Sequence, residues 1–158
     1  DPHIWTSPRA LKQMAANAYD ALRTSFPDSV RYTENYEKLL VRLDSLDTAC
    51  AEALRQADVH TIVIYHPALT YYAADYGLEQ LAVEHDGKEP SARHLARLIE
   101  EARRKKVRRV FYQAQYPAST VKVIAEDIGA RSVKIDPLRE DVIGNIGEIT
   151  RQLTSGNE

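Results

Sequence analysis

The chain has 158 residues, 44% of them hydrophobic and 28% charged, which suits one globular domain with a real core but not two complete lobes. Twenty-one basic and 23 acidic residues leave a formal net charge of −2, so there is no broad positive field, and no nucleic-acid partner is expected. One cysteine excludes an internal disulfide, and no run of about 18 apolar residues offers a membrane span.

Thr6-Ser7-Pro8 reads as a helix start, with Ser7 capping and Pro8 at the first helical position. Leu11, Met14, Ala15, Ala18 and Leu22 then recur on one face until Phe26-Pro27. A second helix is predicted from Asp28-Ser29 to about Ala57. Its stripe of Leu39, Leu43, Leu46, Cys50 and Leu54 makes Cys50 a small buried thiol rather than a reactive one. At about 30 residues it would reach about 45 Å, more than the width of a small domain, so it reads as a coiled-coil arm or a brace.

The pattern changes at His60. Thr61–Tyr65 is a β-branched run fit for a strand covered on both faces, and a short helix over Ala68–Asp75 should end at Gly77. Glu79–Glu84 suggests a second strand, and Ser91 caps a helix through Leu95, Leu98, Ile99 and Ala102. Further strands are expected at Arg109–Tyr112 and Ser132–Ile135, with helices over Ala118–Ile128 and about Asp141–Leu153. The basic run Arg103-Arg104-Lys105-Lys106 sits where a helix ends and reads as a solvated terminus. Strands alternating with helices predict an α/β fold: a four-stranded parallel sheet flanked by helices, preceded by a helix and the long brace.

Ligands of open parallel sheets bind beyond the carboxyl ends of the strands. The residues there are His66 after the first strand, Glu84-His85 after the second, Gln113 and Gln115 after the third and Asp136 after the fourth. An imidazole and a carboxylate on one edge suit zinc and also serve manganese. Both residues have plainer readings, since His66-Pro67 and Asp136-Pro137 are also good turn formers. His3 lies near a terminus, where support is weak. His85 reads as a solvated turn residue, His60 lies at the wrong end of the sheet, and His94 sits in the first turns of a helix. Tyr72 and Tyr76 have the spacing of a core-facing pair. The sequence carries no glycine-rich phosphate loop, no Gly-x-Ser-x-Gly elbow and no His-Glu-x-x-His helix.

Four segments in order carry a resemblance that covers essentially the whole chain. They are Asp1-Pro2-His3-Ile4-Trp5-Thr6-Ser7-Pro8, Tyr65-His66-Pro67-Ala68 with Tyr72-Ala73-Ala74-Asp75-Tyr76-Gly77-Leu78, Gly87-Lys88-Glu89-Pro90-Ser91, and Ile135-Asp136-Pro137-Leu138. Together they resemble the zinc and manganese solute-binding proteins of ABC importers, the ZnuA/TroA-like family.

The resemblance implies one lobe of a two-lobed metal receptor. Residues 1–57 would be the end of a first lobe and the long linker helices, and residues 58–158 the carboxy-terminal α/β lobe. His3, His66 and Asp136 would be the metal ligands, with Tyr65, Glu84, His85, Glu89 and Gln113 as supporting neighbours. The transported ion would be zinc, or manganese, and the partner an ABC permease. The location would be periplasmic, or extracellular and membrane-anchored. An amino-terminal lobe with a further histidine is expected upstream. Without it His3 should lose most of its support, binding should weaken, and the exposed face could form a non-physiological dimer. The alternative is a three-ligand zinc hydrolase, with Glu84, Glu89 or His85 as general base. A receiver-like or flavodoxin-like module would not need the histidines.

Overall fold

The computed structural model describes residues 1–84, 87–116 and 118–155. A 3-10 turn at Ile4–Thr6 leads into helices α1 (Pro8–Ser25) and α2 (Val30–Gln56). Then come β1 (Thr61–Ile64), α3 (Thr70–Asp75), β2 (Glu79–Ala82), α4 (Ala92–Arg104), β3 (Arg109–Gln113), α5 (Ala118–Ile128), β4 (Arg131–Ile135) and α6 (Val142–Thr154). The four strands form one parallel sheet in the order β2-β1-β3-β4. The expected α/β class and element order are those observed, with β2 and α3 each starting or stopping about two residues inside the anticipated span.

Local chemistry fixes these boundaries. Ser7 Oγ accepts from the backbone N–H groups of Arg9 and Ala10, and Pro8 fills a first-turn position that needs no donor. Ser91 Oγ accepts from His94 N at the start of α4. Gly77, at φ +66°, supplies the left-handed residue that ends the α3 segment.

Alternation along the strands feeds two cores. Ile62 and Ile64 of β1, Phe111 of β3 and Ile135 of β4 pack with Cys50 and Leu54 of α2, Tyr72 of α3, and Ile146, Ile149 and Leu153 of α6. Val63, Tyr65 and Val110 point the other way, onto Leu98 and Ala102 of α4 and Val121, Ile124 and Ala125 of α5. Each fully buried Ile or Val contributes roughly 1.5–3 kcal/mol. A one-residue slip of β1 would exchange the two faces and misplace His66, so burial sets the register that aims the site.

The long helix is divided. Of its buried residues, Leu43 lies at its midpoint, and Cys50 and Leu54 lie in the second half, against the core. The first half runs beside α1, where Tyr19 stacks on Tyr36 at 4.4 Å and its hydroxyl bonds Thr33 at 2.8 Å. Met14 and Leu22 of the predicted α1 stripe remain 37% and 38% exposed, because α1 packs mainly on α2.

A polar network ties the first two helices to α3. Arg9 makes two bonds of 3.1 Å to Asp47, Tyr76 donates to the same carboxylate at 2.9 Å, and Lys12 lies 3.6 Å from it. Ser7 also donates to Asp75 at the end of α3. The strand order reverses direction between β1 and β3, the place beyond whose carboxyl ends ligands of open parallel sheets bind.

Candidate metal centre

His66 lies two residues past the end of β1, at that switch point. Its Nδ1 lies 2.8 Å from Glu84 Oε1, and Glu84 is 8% exposed just beyond β2. The carboxylate accepts from the Nδ1–H tautomer, which leaves Nε2 as the lone-pair nitrogen. The ring stacks on Tyr116 at 5.3 Å, and Tyr116 in turn lies 4.8 Å from Tyr65. Gln113, 2% exposed at the end of β3, donates from Nε2 to the His66 carbonyl at 2.9 Å. The His66 ring and main chain are therefore held from three strand ends at once.

His3 meets His66 edge-on, with ring centroids 5.0 Å apart. Its Nδ1 lies 2.6 Å from Asp1 Oδ1, so its Nε2 too is left for an incoming ligand. Burial, and then the facing His66, lower the His3 pKa below 6.5 and outweigh the nearby Asp1 carboxylate. The neutral imidazole that a metal requires is the favoured form.

The expectation that His3 lacks support is corrected. Thr6 Oγ1 lies 3.0 Å from Ala68 O, Tyr71 donates to Asp1 O at 3.1 Å, and Trp5 Nε1 donates to Pro137 O at 2.9 Å. These bonds staple the segment to the His66 loop on one side and to the Asp136-Pro137 loop on the other. Trp5 also packs against the His3 ring, with centroids 5.4 Å apart.

Asp136 sits on that adjoining loop after β4. Its Oδ1 accepts from Leu138 N at 3.0 Å, and its carbonyl accepts from Asn145 Nδ2 at 2.8 Å. The two imidazoles are brought together, but the carboxylate is turned toward its own loop. Among the described residues no three His, Cys, Asp or Glu side chains form a ready-made metal cage.

The supporting residues divide similarly. Glu84 and Gln113 touch His66 directly, and Tyr65 acts through Tyr116. The phenols of Tyr65 and Tyr116 have raised pKa values, chiefly from burial and then from nearby acids, so both stay neutral. Glu89 is exposed, and its charge contributes to the Tyr65 shift. His85 lies outside the described residues. His60 pairs with Asp58 at the far end of the sheet, and His94 Nε2 lies 3.1 Å from Ala82 O.

Sequence reasoning did not nominate Tyr116 or the Asp1 carboxylate. The bond from Tyr116 N to Gln113 O, 3.1 Å, folds the β3 exit so that the phenol returns over His66. That turn leaves no periodic signal.

The sequence and fold have clear relatives. The family model for zinc-uptake complex component A, periplasmic (ZnuA), matches residues 1–154. Zinc-binding lipoprotein AdcA of Streptococcus pneumoniae is 31% identical over 141 residues, covering 87% of this chain and 28% of that protein. The high-affinity zinc uptake system protein ZnuA of Bacillus subtilis is 27% identical over 141 residues, covering 87% of this chain and 44% of that protein. A crystal structure of ZnuA superimposes with a TM-score of 0.92 at 31% identity, covering 100% of this chain and 62% of that one. The chain thus spans less than half the length of these curated relatives. With two apposed imidazoles beyond the strand ends of a matching fold, the chain belongs to the family of zinc-uptake complex component A, periplasmic.

Proposed function

We propose that this chain is the carboxy-terminal lobe, with linker helices, of an extracytoplasmic solute-binding component of an ABC importer. It captures zinc and passes it to a membrane permease. Residues 1–57 are the end of a first lobe and the linker helices; residues 58–158 are the metal-binding lobe. Zinc is the ion in the names of the relatives, and the same nitrogen and oxygen donors also accommodate manganese.

One observation carries the reading: the 5.0 Å separation of the His3 and His66 rings, each with Nδ1 held by a carboxylate. Two imidazoles sharing a tetrahedral zinc at about 2.0–2.1 Å have centroids roughly 5 Å apart. Carboxylates on the far ring nitrogens fix the tautomer and raise ligand basicity, as is usual around metal-binding histidines. Asp136 supplies the third donor by exchanging Leu138 N for the cation. An amino-terminal lobe supplies the fourth and closes the set. With three donors and water the site of this lobe is open and weaker.

Binding here is reversible coordination without turnover. The hydrolase alternative needs a free general base, and its best nominee, Glu84, is buried and committed to His66.

Isothermal titration with zinc and manganese tests the proposal. Wild type should bind zinc with a 1:1 stoichiometry, and His66→Ala or His3→Ala should weaken binding by more than about 100-fold. Equal affinity in wild type and His66→Ala, or rapid ester hydrolysis by the wild type, would overturn it.

A further inference from the structure

Gln113 presents half of a hydrogen-bonding group without a protein partner. The His66 carbonyl can only accept, so the amide NH2 must face it and the orientation of the Gln113 side chain is fixed. That leaves Oε1 as a buried acceptor with no donor among the described residues. The residue ends β3, between β1, which delivers His66, and β4, which delivers Asp136, and it pairs in register with Ile135. It also lies on the sheet face that carries Phe111 and Ile135. A buried amide oxygen without a donor is unfavourable, and in a site such a group is often completed by what binds there.

Building on the zinc-capture reading, we infer that Gln113 is a positioning residue with two separate tasks. Its amide nitrogen pins the His66 main chain, and its amide oxygen accepts a hydrogen bond from a water that enters with the hydrated cation. A dication polarises its water and makes it a strong donor, so the oxygen holds that water against the site. The neutral amide suits this better than a carboxylate, because one end must donate to a carbonyl while the other accepts.

Two variants separate the tasks. Gln113→Met keeps the length of the side chain and removes both functions; Gln113→Glu keeps an acceptor and removes the donor. Zinc affinity should fall about 10-fold or more in Gln113→Met and markedly less in Gln113→Glu. The visible spectrum of the cobalt(II)-loaded protein, which reports the coordination sphere, should change in the Met variant alone. Equal losses in both variants would mean that Gln113 only pins the main chain, and unchanged affinity in both would remove it from the site; either overturns the inference while leaving zinc capture standing. Failure of the wild type to bind zinc would sink both. A measurement on the wild type covers poor folding of a variant: the Gln113 side-chain carbonyl carbon resonance should move downfield on adding zinc. A resonance that stays put counts against the bond.

Discussion

His66 and Glu84 meet across the ends of β1 and β2, with imidazole nitrogen and carboxylate oxygen 2.8 Å apart. Glu84 N also donates to Tyr65 O at 3.0 Å, so the carboxylate is carried on a strand extension and not on a loose side chain. Glu84→Gln preserves the shape and removes the charge. Zinc affinity should fall about 10- to 100-fold while the melting temperature changes by only a few degrees. Competition against a chelating dye, with a parallel thermal melt, measures both. Unaltered affinity would reduce Glu84 to a packing residue.

His3 gives the protein a defined response to acid. Its folded pKa lies below 6.5 because of burial and the facing His66, so below pH 6.5 the unfolded chain takes up the proton first. The stability associated with neutral His3 is fully present above pH 6.5 and is lost as the pH falls toward the folded value. Urea unfolding at pH 7.5 and 5.5 should show a larger loss for wild type than for His3→Gln. Identical losses would show that other groups account for the acid response.

Much of this architecture is legible in the residues. A β-branched run marks β1, and Ser7 and Ser91 cap the helices at the expected places. His66 and Asp136 can be nominated because parallel strands bring the residues after their carboxyl ends to one edge of the sheet. The remainder depends on contacts between distant segments. Trp5 reaches Pro137 and Thr6 reaches Ala68, so a segment that looks loose by its position is held by bonds no local pattern encodes. Tyr116 is hidden for the same reason, since a turn and not a period aims it at His66. The direction of the Asp136 carboxylate is likewise set locally, by Leu138 N.

Cys50 should be chemically silent while the protein is folded. It is 1% exposed, burial raises its pKa, and its sulfur lies 3.1 Å from Thr150 Oγ1. Thr150 donates its own hydrogen to Ile146 O, so it accepts from Tyr72 and Cys50. A thiol-specific chromogenic reagent at pH 8 should label the native protein at the rate of unfolding and the denatured protein within seconds. Fast labelling without denaturant would contradict this packing.

The two glycines of α6 should respond in opposite ways to the same substitution. Gly144 N donates to the capping carboxylate of Asp141 at 3.1 Å, and a methyl group at 144 would overlap that carboxylate. Gly144→Ala must therefore displace the cap and should lose about 0.5–2 kcal/mol. At Gly147 an added methyl would meet Leu46 Cδ1 at 3.8 Å, which is ordinary contact. Gly147→Ala should gain up to about 1 kcal/mol by restricting the unfolded chain and favouring the helix. Chemical denaturation of both variants decides the matter. Because α6 starts just after the Asp136 loop, and Asn145 of its first turn bonds the Asp136 carbonyl, Gly144→Ala should also weaken zinc binding, whereas Gly147→Ala should leave it unchanged. A loss of affinity confined to Gly147→Ala would argue that α6 influences the site through its packing on α2 and not through its cap.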